Sequence, residues 1–384
     1  MQNTSVIELS RSAFANNIRF VRRQLKKNVK LSAVVKGNAY GHGIEHVVPV
    51  MEVCGIKHFS VFSSKEALRV HKVAGEGTEI MIMGMIENED LGWAIKNEVQ
   101  FYVFEFDRLE AAIQTAINHQ KQAIIHLEVE TGMNRLGFVE SDLPKLFDLL
   151  KQHQEHLKIE GICTHYAGAE SISNYLRIQH QIKRFHEIHQ QFLEAGIKPK
   201  IRHTACSAAA VNYPETQLDM VRIGIMFYGF WPSQETFIAQ FRDHPKRALD
   251  PLKRVISWKS KVMAVKKVKK GEFISYGTSY LATINMTVAT VPVGYAYGYS
   301  RNLSNLGRVL IHGKRTAVVG IINMNLMIID VTDIKNVQKG DEVVLIGKQK
   351  KNSVSVASFS ELSQQLNYEM LTRLPIFIPR QVLE

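Results

Sequence analysis

Lys36 follows the apolar run Leu31–Val35 and opens the stretch Lys36-Gly37-Asn38-Ala39-Tyr40-Gly41-His42-Gly43. An amine at the end of an apolar strand is desolvated. Its pKa falls, and the neutral form becomes a nucleophile able to form a Schiff base. A lysine that snorkels to the surface is the alternative. Gly37, Gly41 and Gly43 favour the first reading, because they let backbone approach a ligand closely. Tyr40 stands among them as a phosphate contact. Far along the chain, Cys206-Ser207-Ala208-Ala209 offers a hydroxyl, and Val221-Arg222-Ile223-Gly224-Ile225 offers the N–H groups of Gly224 and Ile225. Ser207 also fits a helix N-cap, and the two roles coexist.

A lysine with a phosphate cradle points to pyridoxal 5′-phosphate (PLP), held as a Schiff base on Lys36. That cofactor needs a partner on its pyridine nitrogen, acidic or arginine. Arg222 is the candidate, since an arginine inside an apolar strand is costly unless paired. Arginine does not readily yield a proton. The ring nitrogen then stays unprotonated and the ring is a poorer electron sink, which suits brief deprotonation and return. His165, in Thr164-His165-Tyr166, is placed to stack on the ring or relay charge, although a lone histidine is more often a core residue. Arg135 follows another apolar run, in Thr131-Gly132-Met133-Asn134-Arg135.

These residues need a scaffold that brings strand ends together. Eight β-rich runs recur in the first 225 residues: 31–35, 58–62, 78–83, 100–104, 123–129, 159–165, 200–204 and 220–224. Several are near-continuously apolar, as parallel strands covered on both faces are. Helical stripes lie between them. Asp107 is placed to cap one carrying Leu109, Ala112, Ile113, Ala116 and Ile117; Phe14, Ile18, Val21 and Leu25 form another before the first strand. Alternating strands and helices predict a TIM (β/α)8 barrel, with chemistry at the C-terminal strand ends. A doubly wound open sheet is less consistent, because no GxGxxG follows the first strand.

Pro232, Pro245 and Pro251 mark a change of pattern. Beyond them, runs 255–265, 286–293, 308–312, 317–322 and 342–346 are broken by glycine turns until Ser358, which with Glu361 has capping-box spacing. This predicts a barrel over 10–244 and a mostly antiparallel β domain over 245–384, joined by an N-terminal strand, 1–9.

The strings AVVKGNAYGHG, HLEVETGMNRLGF, GICTHYA, DMVRIGIMFYG, ISYG, VPVGYAYGY, GDEVVLIG and LNYEML, in order along nearly the whole chain, resemble bacterial alanine racemases, the fold-type III PLP enzymes. The resemblance implies a homodimer and a two-base racemisation of alanine that feeds D-alanine to peptidoglycan synthesis. Lys36 would serve one face of Cα. Tyr276 of the partner subunit would serve the other, through a hydrogen-bond chain Tyr276–His165–Arg222. Tyr40, Ser207, Gly224, Ile225 and Tyr368 would hold the phosphate. Arg135 would contact the cofactor and the substrate carboxylate. Met324, also across the interface, would offer its N–H to that carboxylate, and Tyr295 would narrow the entrance.

The chain departs from the family pattern at several points. Glu128 stands where many members carry a carbamylated lysine, and is expected to hold Arg135 without CO₂. Asn325, Cys206, Tyr297 and Phe377 replace other residues; the changes at 325 and 377 would fit the matched loss of one ion pair. They leave open a relative specific for serine, lysine or arginine. A non-catalytic PLP-homeostasis barrel would lack the second domain, and a fold-type III decarboxylase would carry a cysteine motif in place of Tyr276.

Composition is compatible with this. With 45% hydrophobic and 22% charged residues the chain is neither disordered nor a membrane bundle. No apolar run reaches the roughly 18 residues of a membrane span, and no signal-like h-region opens the sequence, so a cytoplasmic location is expected. Cys54, Cys163 and Cys206 argue against a disulfide framework or structural zinc, and no metal is expected. The net charge of +12 raises nucleic acid as a partner, but Lys266-Lys267-Val268-Lys269-Lys270 alternates too closely with apolar residues for a binding tail, and none is expected.

Overall fold

The computed structural model describes residues 3–241, 249–357 and 367–384. The expected boundary at 244/245 and the Ser358–Glu361 capping box lie outside them. The chain forms two compact units. One comprises Ala13–Gly37 and Val47–Lys253, the other Met1–Ser12, Asn38–His46 and Arg254–Glu384.

The first unit is built on eight parallel strands: β2 (Lys30–Val34), β3 (His58–Val61), β4 (Glu79–Ile82), β5 (Gln100–Val103), β6 (Ala123–Glu128), β7 (Leu157–Cys163), β8 (Ile201–His203) and β9 (Met220–Ile223), numbered after β1 (Ser5–Ser10). Their order is β8-β7-β6-β5-β4-β3-β2-β9. The ends meet where Arg222 N–H donates to the Ala205 carbonyl (2.9 Å) and Asp219 N–H to the Arg202 carbonyl (3.1 Å), so the sheet is a nearly closed barrel. Continuous apolar runs become strands buried on both faces, as in β3, β5 and β9.

Helices cover the barrel through apolar stripes. In the helix Phe106–His119, Leu109, Ala112, Ile113 and Ala116 are buried. The expected cap at Asp107 is not formed. The helix begins two residues earlier, after Glu105, and Asp107 falls in its first turn, where its charge complements the helix N-terminus. Phe14, Ile18 and Val21 are buried on the first helix, which ends at Gln24, one residue short of Leu25.

In the second unit β1, β10 (Ile256–Lys261), β13 (Arg308–Ile311), β14 (Lys314–Ala317), β16 (Glu342–Gln349) and β18 (Arg380–Leu383) form a sheet in the order β14-β13-β16-β10-β1-β18, with β17 (Asn352–Val354) beside β16. All its pairs are antiparallel except β1–β18. A smaller antiparallel sheet holds β11 (Ala264–Val268), β12 (Met286–Val291) and β15 (Met327–Asp330). The run 255–265 is divided between β10 and β11, and 317–322 leaves the strand after Ala317 because Gly320 turns at φ +77°. Lys266 and Lys267 lie exposed on the edge strand β11, where charge discourages further strand addition.

Gly37 to Gly41 all have positive φ, between 52° and 79°, so the chain after Lys36 winds as one left-handed turn. For Asn38, Ala39 and Tyr40 this costs about 1–2 kcal/mol each. His42 Nδ1 donates to the carbonyls of Ala39 (3.1 Å) and Tyr40 (2.9 Å) and holds the turn. Gly41 serves the fold here. A Cβ on it would collide with the Leu371 carbonyl of the helix Asn367–Thr372. Gly41→Ala is therefore expected to lower the thermal midpoint by several degrees, about 2 kcal/mol or more. An unchanged melting curve would show that the turn yields.

Candidate active site

Lys36 lies two residues beyond β2, at the C-terminal end of the barrel strands. The residue is exposed to solvent, although protein crowds around its amine. Burial, with Arg135 as the next contributor, holds its pKa below the usual lysine range. That raises the share of neutral amine. His165, half-buried just past β7, also faces positive charge. Burial first, then Arg222, Arg135 and Lys36, lowers its pKa to about 3, so the ring is neutral at physiological pH.

Arg222 is buried within β9. Its Nη1 donates to Nδ1 (2.6 Å) and the carbonyl (2.7 Å) of His203; its Nη2 donates to the carbonyls of Thr164 (2.9 Å) and Thr204 (3.1 Å). A guanidinium has five N–H donors. Four are taken, and among the described residues Nε–H alone has no partner. The side chain is thus locked, with one donor left for a ligand. Among the described residues no hydrogen bond joins Arg222 to His165; the Nη hydrogens go to His203, Thr164 and Thr204.

Ser207 opens the helix Ser207–Asn212, and its Oγ accepts from Gly224 N–H at 3.0 Å. The hydroxyl proton remains free to donate to an anion. The Gly224 N–H expected to face phosphate is given to the Ser207 hydroxyl in this structure. Ile225 begins a 3-10 turn, Ile225–Tyr228, whose first N–H has no partner within the turn.

Glu128 is buried at the end of β6, and burial raises its pKa against the pull of Arg222 and then Arg135. The expected Glu128–Arg135 ion pair is absent among the described residues; Arg135 is exposed. Its loop is organised by Glu130 instead, which sequence reading passed over. Burial opposes ionisation of Glu130. The N–H groups of Gly132, Asn134, Arg135 and Met133 nonetheless hold its pKa below the usual range.

A second set missed in the sequence is the interior chain of polar side chains. His203 Nε2 meets His126 Nδ1 at 2.8 Å, and His126 Nε2 meets Gln100 Oε1 at 2.8 Å. The signal was present: one polar residue in each of several apolar strands.

The second unit carries the other predicted residues. The Tyr40 and Tyr368 rings lie 6.0 Å apart. Arg380 Nη2 bonds the Gly41 carbonyl at 2.9 Å, and its Nη1 bonds the Pro375 and Ile376 carbonyls at 2.7 and 2.9 Å, tying this turn to the C-terminal segment. Tyr295 N–H and Ala296 N–H donate to the carbonyls of Asn323 (3.1 Å) and Met324 (2.9 Å), and Ser275 Oγ to that of Ile321 (2.7 Å). Tyr276, Tyr295 and Met324 are thereby gathered on neighbouring loops. Tyr276 is 69% exposed. Met324 N–H has no partner among the described residues. Phe377 stacks edge-on against Tyr297, centroids 5.5 Å apart. Two departures from the family pattern thus touch each other as an aromatic pair.

A barrel with a lysine of lowered pKa, a neutral histidine and a locked arginine at its strand ends is an arrangement able to form an imine and to hold or release a proton beside it. The models for "Alanine racemase, N-terminal domain" and "Alanine racemase, C-terminal domain" match residues 9–232 and 255–382. An alanine racemase of Desulforamulus reducens is 36% identical over 97% of both chains. The Bacillus anthracis alanine racemase structure with bound L-Ala-P has 31% identity and a TM-score of 0.89, covering 100% of this chain and 96% of that one. The Bartonella henselae enzyme with covalently bound pyridoxal phosphate has 26% identity and a TM-score of 0.84, covering both chains fully. This chain belongs to the alanine racemase family, a family of PLP-dependent amino-acid isomerases. No helix among the described residues is long and apolar enough to cross a membrane.

The buried histidines set a pH dependence. Burial depresses the pKa of His42 and of His58 to about 4. The unfolded value is about 6.5, so the unfolded chain takes up protons first as pH falls. Stability is whole above about pH 6.5 and is lost towards about pH 4, with a slope of up to about 1.4 kcal/mol per pH unit for each histidine. Urea midpoints measured across this window should fall with pH, and His42→Gln should flatten the slope. A flat wild-type profile would contradict the burial of these rings as neutral groups.

Proposed function

We propose that this chain interconverts L-alanine and D-alanine with pyridoxal 5′-phosphate carried on Lys36, as a homodimer in the cytoplasm, and supplies D-alanine for peptidoglycan. The observation that carries the reading is the Arg222 guanidinium, locked on four hydrogens with its Nε–H left over, and near enough to Lys36 and His165 to lower the pKa of both. A donor that keeps its proton suits an acceptor ring nitrogen. When bound, the cofactor supplies the electron sink that makes Cα–H acidic.

The chain's own groups divide the remaining work. The Lys36 amine holds or returns a proton at one face of Cα. Tyr276 of the partner subunit does so at the other, since one base cannot reach both faces. The Ser207 hydroxyl, Ile225 N–H and the hydroxyls of Tyr40 and Tyr368 bind the phosphate. Arg135 and the N–H of Met324 of the partner subunit bind the substrate carboxylate, and Tyr295 restricts the entrance. Neutral His165 adds no charge that would compete with Arg222. Among the entrance departures Asn325, Tyr297 and Phe377 there is no carboxylate, which favours a small neutral substrate over lysine or arginine. We retain a boundary at 244/245, with strand 1–9 serving the C-terminal domain.

The test is chiral chromatography of single L-amino acids incubated with the PLP-loaded protein. L-Alanine should give D-alanine up to equal amounts and run ahead of serine, lysine and arginine. Another amino acid ahead of alanine would move the chain to a specialised racemase; no D-isomer at all would overturn the reading. Mixed dimers of Lys36→Ala and Tyr276→Phe should recover about one active site per dimer, whereas no recovery would refute action across the interface.

A further inference from the structure

The hydrogen-bond partners of the interior chain fix where each proton sits. The Arg222 guanidinium is a donor only, so His203 Nδ1, at 2.6 Å from Nη1, accepts. Neutral His203 then carries its proton on Nε2 and donates to His126 Nδ1 at 2.8 Å. His126 in turn carries its proton on Nε2 and donates to Gln100 Oε1 at 2.8 Å. Gln100 Nε2 donates to Glu79 Oε2 at 2.8 Å, and Glu79 is paired with Lys30 at 2.6 Å. A side branch runs from His58 Nε2 to the same Gln100 oxygen at 3.3 Å, with His58 Nδ1 accepting from Ser32 at 2.8 Å.

The two ends of this chain differ. Arg222, His203 and His126 are buried, whereas the Glu79 and Lys30 side chains are 40% and 31% exposed at the starts of their strands. Protons from water therefore have access at Glu79. Between the two ends stands an amide, which neither gains nor loses a proton in water. A carboxyl or imidazole at position 100 would complete a relay from Glu79 to His203. A protonated His203 would turn an N–H towards the Arg222 N–H, and the lock on the guanidinium would be lost.

We propose that Gln100 is a positioning residue for Arg222: by ending the His203–His126 pair on an amide, it fixes both rings as Nε2–H tautomers and insulates them from protons entering at Glu79. The inference rests on Arg222 as the partner of the cofactor ring. The groups acting on His203 are Arg222, His126, His58 and Lys30, and those acting on His126 are His58, Lys30 and Arg222. The Tyr102 ring packs on both, 5.9 and 6.1 Å away, and Glu79 and Glu160 act on His58. Burial first, and then the fixed positive charges of Arg222 and Lys30, hold both rings in the neutral form, so with the amide in place neither takes up a proton.

Nitrogen-15 NMR of labelled histidines in the PLP-loaded protein tests this. His126 and His203 should both report the neutral Nε2–H tautomer, unchanged from pH 5 to 9. In Gln100→Glu at least one ring should titrate in that range, and the visible absorbance of the bound cofactor should acquire the same pH dependence. Gln100→Met, which cannot relay, should leave both rings neutral. An Nδ1–H tautomer or a titrating ring in the unsubstituted protein would overturn the proposal, and so would pH-independent rings in a folded Gln100→Glu. The tautomers are read in the same sample whatever it racemises, so a failure of the alanine assay is distinguishable from a failure of this chain.

Discussion

A guanidinium inside a barrel must have acceptors, and the acceptors around Arg222 dictate much of what surrounds them. A buried charge costs several kcal/mol unless its hydrogen bonds are made. Here no carboxylate makes an ion pair with it among the described residues. Carbonyls of Thr164, His203 and Thr204 and one imidazole nitrogen take all four Nη hydrogens. The imidazole has to be neutral to accept, so its own proton must be accepted in turn, and the requirement passes from His203 to His126 to Gln100. One arginine thus accounts for a polar thread through an otherwise apolar core.

The same solution recurs in the second unit. Arg380 also collects main-chain carbonyls, and these include Gly41 on the left-handed turn. That turn places Tyr40 near Tyr368 at the expense of strained backbone at Asn38, Ala39 and Tyr40. His42 and Arg380 offset the strain with bonds that only this conformation offers. In both units an arginine is satisfied by main-chain carbonyls rather than by a carboxylate among the described residues.

Charge placement accounts for the absence of a Glu128–Arg135 ion pair among the described residues. Arg135 sits on a loop whose N–H groups converge on Glu130, and that carboxylate fixes the loop locally. Glu128 is one pleat away, buried, and influenced more by Arg222 than by Arg135. Two acids two residues apart along a strand end thus differ, because one meets backbone donors and the other is buried without an ion pair among the described residues.

The barrel was legible because apolar runs of strand length alternate with helical stripes, and burial on both faces leaves that mark in any parallel strand. Lys36, Arg222 and Ser207 were legible because each is a polar residue at the end or inside of such a run. The caps and the strand limits of the second unit were less so. Gly320 turns the chain inside an apolar run, and β1 and β18 join one sheet from opposite ends of the sequence. Only the tertiary structure decided which polar groups meet. Nothing in spacing says that Arg222 bonds His203 rather than His165, that Gly224 N–H is taken by Ser207, or that Tyr297 touches Phe377. Sequence determines which residues lie at strand ends, since that follows from local periodicity; hydrogen-bond partnership depends on register across the closed barrel, which fixes distances to a few tenths of an ångström between residues far apart in the chain.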